Sequence, residues 1–223
     1  MKHSPFGKLL GLVAAALVAQ LASAATIYDN SANDLVTRLN PGLKEVGDEI
    51  IFAGSERYLT QFDFEYYGIN TANNFAFAGT VQARIRFYLN NGPLFNGYAT
   101  PGTAFYDSGW FGGFGPTDRS TLVFTAGSDF PLGGLFIPAN SITWTVQFSG
   151  LGATDEVGVD IYNPVVTGSS YNDYWENNGG TWTLLNGSVP MNFASRFFAV
   201  VPEPSSLTLV GLAAVGFLFR RRS

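Results

Sequence analysis

The sequence predicts an all-β protein: an antiparallel β-sandwich, jelly-roll-like in plan, flanked by an N-terminal signal helix and a C-terminal apolar helix. Three observations carry that expectation. Apolar and polar residues alternate with period two in segment after segment, turns rich in glycine and asparagine separate those segments, and no ten-residue stretch between the two ends has helical spacing. An immunoglobulin-like sandwich and a barrel are the alternatives that fit the same pattern.

The chain opens with Lys2 and Lys8, continues through an apolar run over residues 9–21, and reaches Ala22-Ser23-Ala24. A charged start, a short apolar stretch and a small-x-small site are what a translocon and a signal peptidase require, so residues 1–24 read as a signal peptide cleaved after Ala24. Sec translocon and signal peptidase are therefore expected partners.

Four segments carry the strand signal most strongly. Over residues 58–66, Phe62, Phe64 and Tyr66 alternate with Gln61, Asp63 and Glu65. Over residues 80–89, Val81, Ala83, Ile85, Phe87 and Leu89 alternate with Gln82, Arg84, Arg86 and Tyr88. Residues 141–148 set Ile142, Trp144, Val146 and Phe148 against Thr143, Thr145 and Gln147, and residues 156–162 place Val157, Val159 and Ile161 opposite Gly158 and Asp160. Each is the pattern of a half-buried antiparallel strand. Weaker strands are expected at residues 26–29, 49–52, 104–107, 120–126, 134–137, 181–185 and 193–200. Asn90-Asn91-Gly92-Pro93, Gly112-Gly113, Gly133-Gly134 and Asn177-Asn178-Gly179-Gly180 supply the turns between them.

Residues 25–200 suit one domain, large enough to bury a sizeable core. Sixteen acidic and seven basic residues give this segment a net charge of −9, which repels nucleic acid and removes that class of partner. The chain has no cysteine, and its one histidine is His3. Disulfides, the usual zinc, copper and haem ligand sets, and Ser-His-Asp or Cys-His catalysis all fall away, so no catalytic residue, metal site or cofactor is expected. Calcium held by carboxylates and carbonyls is compatible with the composition, but no DxDxDG loop is present, and Asp155, Glu156 and Asp160 read as solvated turn carboxylates.

The C-terminal end combines three pieces: Pro202-Glu203-Pro204, an apolar segment at residues 205–219, and Arg220-Arg221-Arg222 before Ser223. The prolines lock φ and remove backbone donors, which keeps the box extended and open to a protease. Arginines after an apolar segment remain cytoplasmic and leave the preceding domain outside. The thirteen apolar residues at 207–219 make about 20 Å of helix against a hydrocarbon core of about 30 Å, a fit suited to a transient anchor. This order of box, apolar segment and arginine cluster resembles the PEP-CTERM sorting signal, also catalogued as an ice-binding-protein C-terminal domain. The resemblance covers residues 201–223, about a tenth of the chain, and matches the box at Pro202, Glu203 and Pro204. It implies an exosortase as processing partner, the inner membrane of a Gram-negative-type bacterium as the first anchor, and the cell surface or extracellular matrix as the destination.

Within the domain, Tyr171, Tyr174, Trp175 and Trp182, interleaved with Asn172 and Asp173, are the candidate glycan contacts, because aromatic faces and short polar side chains together suit a sugar ring. The competing reading places these aromatics in the core. Arg84 and Arg86 are expected on a solvated face or paired with Asp63 and Glu65, and Trp110 as a loop plug. The function expected is a non-enzymatic envelope or matrix protein. The alternatives are a carbohydrate-binding module of the exopolysaccharide and a glycosidase relying on carboxylates alone.

Overall fold

The structure, a computed structural model, describes residues 24–73 and 75–201. Ala24–Val201 forms a compact unit of its own. Its strands are, in chain order, β1 (Ala25–Asn30), β2 (Asp34–Leu39), β3 (Glu45–Ile51), β4 (Tyr58–Asn70), β5 (Gln82–Leu89), β6 (Leu94–Phe95), β7 (Tyr98–Ala99), β8 (Ala104–Asp107), β9 (Thr117–Thr125), β10 (Leu135–Phe136), β11 (Ser141–Ser149), β12 (Asp155–Tyr162), β13 (Ser169–Ser170), β14 (Asp173–Asn178), β15 (Thr181–Asn186) and β16 (Ser195–Val200). Among the described residues there is no helix, and none that is long and apolar enough to cross a membrane. The expected signal helix and C-terminal apolar helix lie outside the described residues.

All pairings between these strands are antiparallel. One sheet runs β1-β16-β4-β12-β2, with β9 and β10 also paired to β4; the other runs β15-β14-β3-β11-β5-β8, with β13 also paired to β3. The chain passes from one sheet to the other repeatedly, so that β3, β4 and β5, and again β11 and β12, lie in alternate layers. β6 and β7 form a separate hairpin. Its turn residues Asn96 and Gly97 both have positive φ, 51° and 90°, the pairing that matches a two-residue turn to the twist of its strands.

The period-two pattern explains what the sheets share. Phe62 and Phe64 on β4, Phe87 on β5, Trp144 on β11 and Phe197 on β16 are all fully buried. Phe62 stands 5.2 Å from Phe87, 5.3 Å from Trp144 and 4.7 Å from Phe197 between ring centroids, so side chains of the two sheets interdigitate in one aromatic core. Without disulfides, this packing carries the stability of the unit, and truncating such a ring to alanine removes about 3–5 kcal/mol.

The polar sides of the strands are less solvated than the pattern alone suggests. Asp63 pairs with Arg196 at 2.9 Å, and Asp160 with Arg38 at 3.0 Å. Asp160 is thus buried on its strand, which corrects its reading as a solvated turn carboxylate; burial pushes it up to about 6, only partly opposed by the Arg38 guanidinium. Asp155 accepts backbone N–H bonds from Ala78, Gly79 and Gly152, each at 2.8 Å. Desolvation works against its charge, but these three donors together hold it below the ordinary carboxylate value. Among the described residues no three such side chains are arranged to hold a metal ion.

Candidate functional site

The face of the second sheet that points away from the core carries a dense set of polar side chains. Cross-strand register aligns Glu45, Gly47 and Glu49 of β3 with Gln147, Thr145 and Thr143 of β11, and these in turn with Arg84, Arg86 and Tyr88 of β5. On the other side of β3, Trp175 lies opposite Gly47 and Asn177 opposite Glu45. Alternation sends Val46 and Ile50 into the core and leaves Glu45, Gly47 and Glu49 on this outer face.

Two hydrogen-bonded networks organise the face. In the first, Glu45, 3% exposed, accepts from Arg86 Nη1 at 2.6 Å, from Thr145 Oγ1 at 2.6 Å, from Tyr88 OH at 3.1 Å and from Asn177 Nδ2 at 3.3 Å. Arg84 closes a two-point ion pair with Asp107. Arg84 and Arg86 are therefore paired, but with Asp107 and Glu45 of their own sheet and not with Asp63 and Glu65, because β4 belongs to the opposite layer. Tyr88 is pushed up to about 12, by burial first and then by the Glu45 charge. In the second network, Glu49 Oε1 accepts from Asn90 Nδ2 at 2.8 Å and from Ser141 Oγ at 3.0 Å, while Thr143 Oγ1 donates to Asn90 Oδ1 at 2.7 Å.

The β6-β7 hairpin folds over one end of this face. Phe95 meets the edge of Trp175 at 6.3 Å, and a cavity of about 320 Å³ remains, lined by Glu49, Asn90, Tyr98, Tyr171, Asp173 and Trp175 among others. Burial raises the pKa of both Glu49 and Asp173, and the Asp173 charge raises Glu49 further. The Trp175 indole N–H has no hydrogen-bond partner at normal geometry, although it is close enough to Glu49 to favour the anion.

The predicted aromatic residues divide on this geometry. Tyr171 and Trp175 line the cavity together. Tyr174, one residue from Trp175 on the same strand, points the other way and packs against the core, 6.2 Å from Phe193. Trp182 shares the outer face but sits edge-on to Tyr88 at 5.6 Å, away from the cavity lining. Trp110 is not a loop plug: it is 40% exposed, and the Arg84 guanidinium lies over its ring at 5.9 Å. Sequence reasoning missed Glu49, Asn90 and Tyr98. The alternation of Glu45, Gly47 and Glu49 with Val46, Asp48 and Ile50 is the signal that marks the first of them.

The remaining predicted residues belong to the two ends of the chain. Ala24 is the first described residue and is exposed; Ala22, Pro202, Glu203, Pro204, Arg220, Arg221 and Arg222 lie outside the described residues. Val200 closes β16, where it pairs with Tyr58 of β4. A family model described as the PEP-CTERM protein-sorting motif matches residues 200–222, beginning at that same residue. The chain carries a PEP-CTERM sorting motif. The motif supports exosortase-dependent sorting of an exported protein that is transiently anchored in the membrane before processing. No curated protein and no solved structure matches the chain.

Proposed function

We propose that this chain is a non-enzymatic cell-envelope or extracellular-matrix protein, exported by the Sec machinery and handed to an exosortase through its tail. In this reading residues 1–24 are removed by signal peptidase, residues 25–200 form a jelly-roll-like sandwich that is the mature exterior domain, and residues 201–223 anchor it in the inner membrane until processing. The motif match at residues 200–222, following directly on a self-contained β unit, is the observation that carries the reading. Mass spectrometry of the mature protein, from cells with and without exosortase, tests it. The expected result is a C-terminus near Pro202-Glu203-Pro204 only where exosortase is present; an intact Ser223 in exosortase-positive cells would refute the claim.

A second reading, favoured by the cavity under the β6-β7 hairpin, makes the domain a carbohydrate-binding module of the exopolysaccharide. Exposed aromatic faces of Tyr98 and Tyr171 beside Asn90, Glu49 and Asp173 support it, since sugar rings offer apolar faces and polar edges to such walls. The two readings are compatible: one concerns how the protein is delivered, the other what it holds at its destination.

A further inference from the structure

The cavity between the β6-β7 hairpin and the outer face of the second sheet shows an imbalance of charge and of hydrogen bonding. Two carboxylates, Glu49 and Asp173, face it, and no Lys or Arg is among the residues that line it. Glu49 spends Oε1 on Asn90 and Ser141, whereas Glu49 Oε2 and the Asp173 carboxylate receive no hydrogen bond from another residue at normal geometry among the described residues. Lys44, just before β3, is engaged with Glu176 at 2.8 Å, and Arg86 of β5 with Glu45 at 2.6 Å, so these cations are committed elsewhere. The walls are aromatic: Tyr98 and Tyr171 are 61% and 50% exposed, and Trp175 forms the floor.

A cationic group fits this arrangement on two grounds. It neutralises two carboxylates that raise each other's energy, and aromatic faces attract cations through their quadrupole. A second observation narrows the ligand beyond a bare ammonium. Trp175 is 1% exposed and lines the cavity, and its indole N–H makes no hydrogen bond at normal geometry although Glu49 lies close to it, so a ligand that draws Glu49 to its ammonium and brings an acceptor of its own satisfies that buried donor. A hydroxyl oxygen close to an ammonium on one compact ring meets both demands, and about 320 Å³ lies at the lower end of small-ligand pockets, the size of a single ring with its substituents.

We infer that this cavity binds a protonated amino sugar, the repeating unit of a glycan with free amines. The ammonium stands between Glu49 and Asp173, a ring hydroxyl accepts from Trp175 Nε1, and Tyr98 and Tyr171 flank the ring. The inference rests on the carbohydrate-binding reading above and goes further by naming the sugar class.

The test is calorimetric titration of the full chain in detergent with four probes: a glucosamine hexamer, its fully N-acetylated counterpart, cellohexaose and hexalysine. The glucosamine hexamer is expected to bind at least about tenfold more tightly than each of the other three, a difference of about 1.4 kcal/mol. Asp173→Asn and Tyr98→Ala are each expected to weaken that binding about tenfold with the melting temperature unchanged, since both side chains border an open cavity. Equal binding of the acetylated or neutral hexamer, with Tyr98→Ala still weakening it, overturns the amine inference and leaves the carbohydrate-binding reading standing. Absence of binding to all three sugars overturns both. Hexalysine binding as tight as that of the glucosamine hexamer overturns the sugar assignment, and an Asp173→Asn variant that binds as tightly as the parent overturns the ammonium site. Shortening of any hexamer during the titration, read by mass spectrometry, overturns the non-enzymatic reading.

Discussion

Arg86 Nη1 on β5 donates to Glu45 Oε2 on β3 at 2.6 Å, spanning the full width of the intervening strand β11. Both partners are largely withdrawn from water, with side chains 15% and 3% exposed. Removing one member of such a pair leaves the other charged, buried and unmatched, which destabilises by about 3–5 kcal/mol. Arg86→Ala is accordingly expected to lower the unfolding free energy read from urea melts by that amount, and Arg86→Met combined with Glu45→Gln to recover most of it. A single variant as stable as the parent would show that the pair is dispensable.

Gly47 follows Glu45 on the same outer face, where β3 lies tight against β11. An added Cβ there would stand 2.7 Å from Thr145 Cγ2, 2.8 Å from Thr143 Cγ2 and 3.0 Å from the Trp144 carbonyl oxygen. The threonines are held by their own hydrogen bonds and the carbonyl belongs to a central strand, so none of the three gives way cheaply. Gly47→Ala is predicted to destabilise by about 1–3 kcal/mol in denaturant melts; an unchanged midpoint would contradict this close approach of β3 and β11.

Buried acids set the pH response. Asp160 is pushed up to about 6 from an ordinary 3.8, and Asp48, fully enclosed by the core, is raised well above that ordinary value by burial. For a raised acid the folded state binds more protons than the unfolded one between the two pKa values, so stability is fully present below about 4 and declines as pH climbs through about 6. Asp107, lowered to about 2 through its bond with Arg84, acts oppositely and only in stronger acid. The melting temperature is thus expected to be higher at pH 5 than at pH 7.5, and Asp160→Asn to flatten the difference. A melting temperature that rises from pH 5 to 7.5 would show that these carboxyls do not govern the response.

Val36 lies on β2 with φ 54° and is 88% exposed. A β-branched residue in the left-handed region costs about 1–2 kcal/mol, and no packing offsets it here. Val36→Gly removes that strain at a loss of about 0.5–1 kcal/mol in backbone entropy. The expected outcome is a gain of up to about 1 kcal/mol by chemical denaturation, and a loss would mean that the bulge needs the valine.

Strands that bury one face in the aromatic core were legible from periodicity alone. The segments around Phe62, Ile85, Trp144 and Val159 appear as β4, β5, β11 and β12, with ends shifted by a few residues. β2 escaped because its bulge at Val36 breaks the alternation. β14, Asp173–Asn178, escaped because it is mostly polar, and its partners are the polar outer face of β3 and the neighbouring β15. The β6-β7 hairpin had a local signal in Asn96-Gly97, but two-residue strands leave no period to count. The site shares that fate. Trp175 and Tyr171 stood out by composition, whereas Glu49 comes from a stretch of chain well separated from Asn90 and Tyr98, and only the register of β3, β11 and β5 and the fold of the hairpin unite them.

The placement of β16 bears on biogenesis. Its hydrogen bonds run to β1 on one side and β4 on the other, so the last strand among the described residues is an inner member of its sheet. Without residues up to Val200, the first sheet has a gap where β1 should join it, and the sheet is incomplete. The sorting motif begins at that same residue, so the last residue of the strand is also the first of the address. A proteolytic cut beyond Val201 spares every strand of the described residues, while one a few residues earlier would cut into a strand in the middle of the sheet; the folded domain itself therefore fixes how far upstream a processing enzyme can trim.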